Sequence, residues 1–172
     1  MIHTPNVTDV AGMFSVLIAV VSILRQVQSV QFISYDMRLL QNNIQSVSTS
    51  IQLLRHSVHR LNVDVVLLQE VWHPAEDIFN IWQYTKPIVM LHQGSEGGGV
   101  AIVTHRKVKV VHLLEYEVDG LEAVWADVML GKVRAVVGSV YVPPGDINAI
   151  NILDTYWKNF AVCLQVVDRN GC

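Results

Sequence analysis

From Val65 to Leu68 the chain reads Val-Val-Leu-Leu, the end of a Val-rich stretch that starts at Val63 and is interrupted only by Asp64. A strand with no polar alternation has no face to give to water, so it must lie in a sheet covered on both sides. Upstream, Met37 to Asn42 reads as a second short strand. Between the two, Ser46-Val47-Ser48-Thr49-Ser50 is rich in residues that cap helix amino termini. Ile51, Leu54, Val58 and Leu61 then recur at helical spacing, with Gln52, Arg55, His56 and Arg60 between them. Strand, helix and buried strand make a βαβ unit, whose parallel strands end on one edge of the sheet.

That edge is where the chemistry concentrates. The first strand ends in Asn43 and the second in Glu70. Open α/β sheets hold their ligands at the carboxy ends of their strands. An amide oxygen and a carboxylate side by side suit a magnesium ion, which takes one or two carboxylates and keeps waters for a phosphate to displace. The plainer reading has Asn43 capping the next helix and Glu70 merely solvating a strand end. Each residue alone fits it; the two together favour the shared cation.

Beyond a loop around His73 to Lys86 the pattern changes. Gly97-Gly98-Gly99 leads into a strand from Val100 to Thr104. Val108 to Val118 and Leu121 to Met129 flank Asp119-Gly120, which predicts a tight hairpin. Leu130-Gly131-Lys132 predicts a second turn, and Val133 to Tyr141 a further strand. Pro143 and Pro144 stop that strand and leave the Tyr141 hydroxyl at the sheet edge, placed to donate a hydrogen bond to a phosphate oxygen. A half-buried tyrosine at a strand end is the alternative. The fold class is α/β: a βαβ unit followed by an antiparallel meander.

Charged residues make up only 16% of the chain, well below the average of about 25%. The net charge of −3 gives no basic footprint for nucleic acid. The cysteines, Cys163 and Cys172, lack metal-type spacing, and reduced thiols of an intracellular protein, nuclear or cytoplasmic, are the default expectation. Val10 to Leu24 is almost continuously apolar. It is short for a bilayer crossing, which takes about 20 residues. It also lacks the preceding basic residues of a secretory signal. A buried or loosely attached helix is the expectation, with a membrane anchor as the alternative.

The pieces from Met37 to Gly145, in this order, resemble the endonuclease/exonuclease/phosphatase superfamily, and within it the apurinic-type endonuclease domain of non-LTR retrotransposons. The resemblance lies in Leu40 to Ser46 with the helix after it, Asp64 to Trp72, Gly98 to Ile102, Leu121 to Trp125, and Tyr141 to Gly145. It implies a four-layer, DNase I-like α/β sandwich. It also implies a Mg2+ (or Mn2+) cofactor held by Asn43 and Glu70, a catalytic role for Glu70, and Tyr141 against the scissile phosphate. The implied activity is nicking of DNA, the implied partner. His73, just past the Glu70 strand, is a candidate substrate contact.

The chain departs from the family where a base should stand. Neither a Gly-Asp-Phe-Asn strand end nor a Ser-Asp-His sequence follows, so the expectation is a domain over 36–172 truncated at its carboxy end, behind an apolar extension over 1–35. Such a chain is expected to be inactive alone, with an inner sheet face lacking its partner. A non-catalytic remnant and a membrane-attached α/β protein are the competing readings. Gly145-Asp146-Ile147-Asn148 imitates the missing motif but directly follows the proline break. Asp146 or Asn148 is expected to cap a helix carrying Ile150, Leu153, Trp157 and Phe160. His56 and His59 read as a solvated helix face, and His92, His105 and His112 show no partner. Arg106, Lys107 and Lys109 read as a phosphate-steering patch or a soluble strand start.

Overall fold

The computed structural model describes residues 15–22, 28–34, 37–72, 79–92, 97–143 and 145–155. The βαβ unit forms as its pattern requires. Strand β3 (Met37–Asn43) leads through helix α1 (Val47–Arg60) to β4 (Val65–Gln69). β3 and β4 pair in parallel, with Leu39 opposite Val65 and Asn43 opposite Gln69. All of β4 is buried. Helix α1 lays Ile51, Leu54 and Val58 on Leu40, Val66 and Leu68. No side chain caps its amino terminus: Ser46 stands at the N-cap with φ 86° and makes no such bond. The Ser50 hydroxyl instead donates to the Ile44 carbonyl at 2.7 Å.

Two sheets stack face to face. The first has the order β2 (Gln28–Ser34), β3, β4, β6 (Val100–Thr104), β5 (Ile88–Met90). The second runs β1 (Ser15–Ser22), β9 (Val133–Tyr141), β8 (Glu122–Leu130), β7 (Lys109–His112). Their facing sides form one apolar layer: Met37, Leu39, Val65, Leu67, Val100 and Ile102 pack against Val124, Ala126, Val128, Ala135 and Val137. A helical stretch over 147–155, here α2, covers the far face of the second sheet, setting Ala149 and Leu153 on Trp125, Val140 and Val142. The layers are therefore helix, sheet, sheet, helix. Trp125 is fully buried there, against Gly138 opposite it in β8–β9. A Cβ at Gly138 would come within 2.4 Å of the indole.

Several expectations are corrected. The inner face of the first sheet does not lack a partner; β7, β8 and β9 supply it. Within Val10–Leu24 the described part, Ser15–Ser22, is a strand parallel to β9 rather than a helix. A β-branched apolar run satisfies its backbone equally well beside an exposed strand edge. Among the described residues no helix is long and apolar enough to cross a membrane. The expected strand from Val108 to Val118 ends at His112. There His112 Nε2 meets Glu117 Oε1 at 2.6 Å and the chain folds back through a 3-10 turn, Leu114–Tyr116. Asp119-Gly120 is then the last corner of a longer connection, not a tight hairpin. Gly131-Lys132 does form the tight turn between β8 and β9.

Candidate functional site

Along the inter-sheet layer, four strands change character at the same end. β3 carries Met37 and Leu39, then Gln41 and Asn43; β4 carries Val65 and Leu67, then Gln69. β9 carries Ala135 and Val137, then Ser139 and Tyr141. β8, running the other way, begins with Glu122 before Val124, Ala126 and Val128. Strand alternation puts each set on one face. The inner layer is thus apolar through most of its depth and polar at one rim.

Buried polar groups require partners, and at this rim they join the two sheets. Gln41 Nε2 donates to Gln69 Oε1 at 3.3 Å, and Gln69 Nε2 donates to Ser139 Oγ at 2.9 Å. Ser139 Oγ in turn donates to the Leu68 carbonyl at 2.8 Å. The chain from β3 through β4 to β9 fixes the relative height of the sheets. It brings the tips of β3 and β4, with Asn43 and Glu70, to the same end as Tyr141, which closes β9.

Asn43 is 7% exposed. Its Oδ1 accepts the Gln45 amide at a long 3.4 Å, so it caps the turn after β3 and not helix α1, whose N-cap is Ser46. Glu70 follows β4 directly and is half-buried. Its carboxylate makes no hydrogen bond or ion pair to another described residue, whereas its backbone is pinned from both sides. The Ser46 amide donates to the Glu70 carbonyl at 2.8 Å, and the Ile44 amide to that of Gln69 at 3.0 Å. On the other flank, Val71 and Trp72 donate to the Gly99 and Gly98 carbonyls at 3.2 and 2.9 Å.

Gln45, Ser46, Glu70 and Trp72 all have positive φ, between 45° and 86°. Side-chain-bearing residues avoid this region, and such strain gathers where function fixes the backbone. Trp72 stands 40% exposed beside Glu70.

Sequence reasoning passed over Glu122 at this rim and read His92 as partnerless, which the structure corrects. Glu122 lies opposite Tyr141 in the β8–β9 register. One of its oxygens is bonded to His92 Nδ1, and the other accepts the Gly99 amide at 2.5 Å. A carboxylate in line with Val124, Ala126 and Val128 was the available clue, since nothing apolar asks for it there.

The remaining candidates lie elsewhere. Asp146 does cap α2, its Oδ1 accepting the Ala149 amide at 3.0 Å. His56 and His59 are exposed on α1. His105 edges onto the Tyr84 ring at 5.3 Å, and His112 pairs with Glu117. Arg106 and Lys107 sit at the opposite rim from Glu70, where Lys107 Nζ lies 2.6 Å from Asp64. His73 lies outside the described residues. Among the described residues no three of His, Cys, Asp and Glu cluster as a metal cage. Asn43 and Glu70 carry oxygen donors of the hard-cation type at the tips of neighbouring strands.

The sequence profile of the endonuclease/exonuclease/phosphatase family matches residues 33–164. Among solved structures, the endonuclease domain of TRAS1, a telomere-specific non-LTR retrotransposon, superposes with a TM-score of 0.57 at 18% identity. That match covers 72% of this chain and 53% of the TRAS1 domain, so the chain spans about half the length of that relative. Humanized D. rerio TDP2 aligns at 14% identity with a TM-score of 0.48, over 80% of this chain and 58% of its own. No curated protein sequence matches the chain. The TRAS1 likeness shows a shared fold, a DNase I-like two-sheet sandwich with helices outside.

Proposed function

The chain belongs to the endonuclease/exonuclease/phosphatase family, and on that premise we propose that its lineage activity is magnesium-dependent hydrolysis of a phosphodiester, with DNA as the substrate. The observation that supports this most is the common rim where the tips of β3, β4, β8 and β9 all turn polar. In this reading the Asn43 amide oxygen and the Glu70 carboxylate bind the ion, Glu70 being the principal ligand. A magnesium ion supplies charge neutralisation at the phosphoryl oxygens when bound. The Tyr141 hydroxyl donates to a non-bridging phosphate oxygen and orients the scissile group, and His73 contacts the substrate backbone.

The proposal assigns no base to activate water; Asp146, which imitates a family motif, is held as a helix cap. For this reason the 172-residue chain is expected to nick DNA weakly or not at all by itself. The lack of a three-ligand cluster among the described residues favours, as second reading, a non-catalytic remnant that at most binds magnesium or nucleic acid. A plasmid-nicking assay in Mg2+, run on wild type and Glu70→Ala, decides between them. Nicking in the wild type that Glu70→Ala abolishes ends the remnant reading. Equal background in both, with divalent binding lost only in Glu70→Ala, is the result expected of a domain that keeps its ion site without its base.

A further inference from the structure

Glu122 projects from the first position of β8 into the gap between the sheets, and both of its oxygens are taken. One is bonded to the His92 ring, and the other accepts the Gly99 amide at 2.5 Å. These two bonds tie the start of β8 to the turn before β6. That turn is built tightly: Gly98 and Gly99 have φ of 76° and 81°, and a Cβ on Gly98 would come within 2.9 Å of Glu122 Oε2 and 2.8 Å of His92. A Cβ on Gly99 would come within 2.9 Å of Val71. The same two glycines present their carbonyls to the amides of Trp72 and Val71, the two residues that follow Glu70, whose own φ is 53°.

We propose that Glu122, with His92, is a positioning residue for Glu70: it clamps the Gly98–Gly99 turn, and the turn sets the backbone that carries the cation-binding carboxylate. The inference rests on the reading of Glu70 as a magnesium ligand. Partners one step removed from a metal ligand set its orientation, and their loss commonly weakens binding about 10- to 100-fold. The clamp needs an acceptor toward Gly99 and a group that bonds the His92 ring, at the reach of a Glu side chain. Gln has both, an amide oxygen for Gly99 and an amide N–H for His92 Nδ1, although it is neutral. Asp keeps the charge and falls short by one methylene.

The test is Mn2+ binding by the full chain, read from the electron paramagnetic resonance of the free ion. Amide exchange at Val71 and Trp72 is measured alongside, in wild type, Glu122→Gln, Glu122→Asp, Glu122→Ala and Glu70→Ala. Glu122→Gln is expected to match wild type. Glu122→Asp and Glu122→Ala are expected to bind Mn2+ about 10-fold more weakly or worse, with faster exchange at Val71 and Trp72. Should Glu122→Ala fail to fold, the Gln–Asp pair decides. Equal affinity and exchange in Gln and Asp, or Asp matching wild type while Gln fails, overturns the clamp; the latter would mean that Glu122 acts through its charge. If wild type binds Mn2+ no better than Glu70→Ala, the metal reading fails, and exchange alone judges the clamp: slow in Gln and fast in Asp upholds it, equal in both refutes it.

Discussion

β4 has a carboxylate at each end, and the two are treated in opposite ways. Asp64, just before the strand, is 2% exposed and fully engaged: Oδ2 accepts the Arg38 amide at 2.7 Å and Oδ1 meets Lys107 Nζ at 2.6 Å. Its surroundings are equally tied down. The Tyr84 hydroxyl donates to the Val63 carbonyl at 2.6 Å, and burial, helped by the Asp64 charge, pushes its pKa up to about 12. Glu70, just past the strand, has a pinned and left-handed backbone but a carboxylate with no partner among the described residues. A buried charge needs compensation. Asp64 has it from the Arg38 amide and Lys107, while the half-buried Glu70 finds none among the described residues. One end of the strand is tied into the fold, and the other carries the carboxylate of the proposed ion site.

The largest expected effect tests what lies between the ends. Leu67→Ala, in the middle of the inter-sheet layer, removes buried atoms from both sheets' contact and should cost about 2–5 kcal/mol in denaturant unfolding. A loss under about 1 kcal/mol would mean the sheets do not share a packed core.

Asp64→Ala comes next. It leaves the Arg38 amide without its acceptor, an expected loss of about 1–3 kcal/mol; Lys107, half exposed, can return to water. Divalent binding should be unchanged, and a substantial drop in Mn2+ affinity would break the separation of the two ends.

At Glu70 the expectation is inverted. Glu70→Ala should change stability by no more than about 0.5 kcal/mol while removing divalent binding. Glu70→Gly should exceed Glu70→Ala in stability by about 1 kcal/mol, because only glycine escapes the left-handed penalty. If Glu70→Gly is instead the less stable of the two, the backbone there is not strained.

The smallest effect is a pH slope at the Asp64 end. The His105 pKa is lowered from 6.5, first by burial and then by Lys107 and His59, with Asp64 opposing. The folded state therefore favours neutral imidazole, and the unfolded chain binds more protons. Stability from this group is full above pH 6.5 and is lost as pH falls through the lowered folded value. His105→Gln should flatten that decline slightly in a series of melting curves. An unaltered slope would remove His105 from the account.

Much of the fold was legible because it rests on local patterns. The βαβ unit followed from the apolar β4 and the helical spacing of Ile51, Leu54 and Val58. β6 and β9 begin and end where their runs and turn residues say. What the sequence hid was set by tertiary pairing. Nothing local tells Ser15–Ser22 to be a strand beside β9 rather than a helix. The end of β7 depends on the His112–Glu117 contact across a turn. At the site, Asn43, Glu70 and Tyr141 were visible as polar tips on apolar strands. Glu122 and His92 were not, because their partnership joins a strand of one sheet to the loop that follows β5 of the other.

If Asn43 and Glu70 share one divalent ion, crystals soaked in Mn2+ will show a single anomalous peak bonded to both side-chain oxygens, at about 2.1 Å or slightly longer. A peak that touches only one of them, or none at that rim under saturating Mn2+, would contradict it.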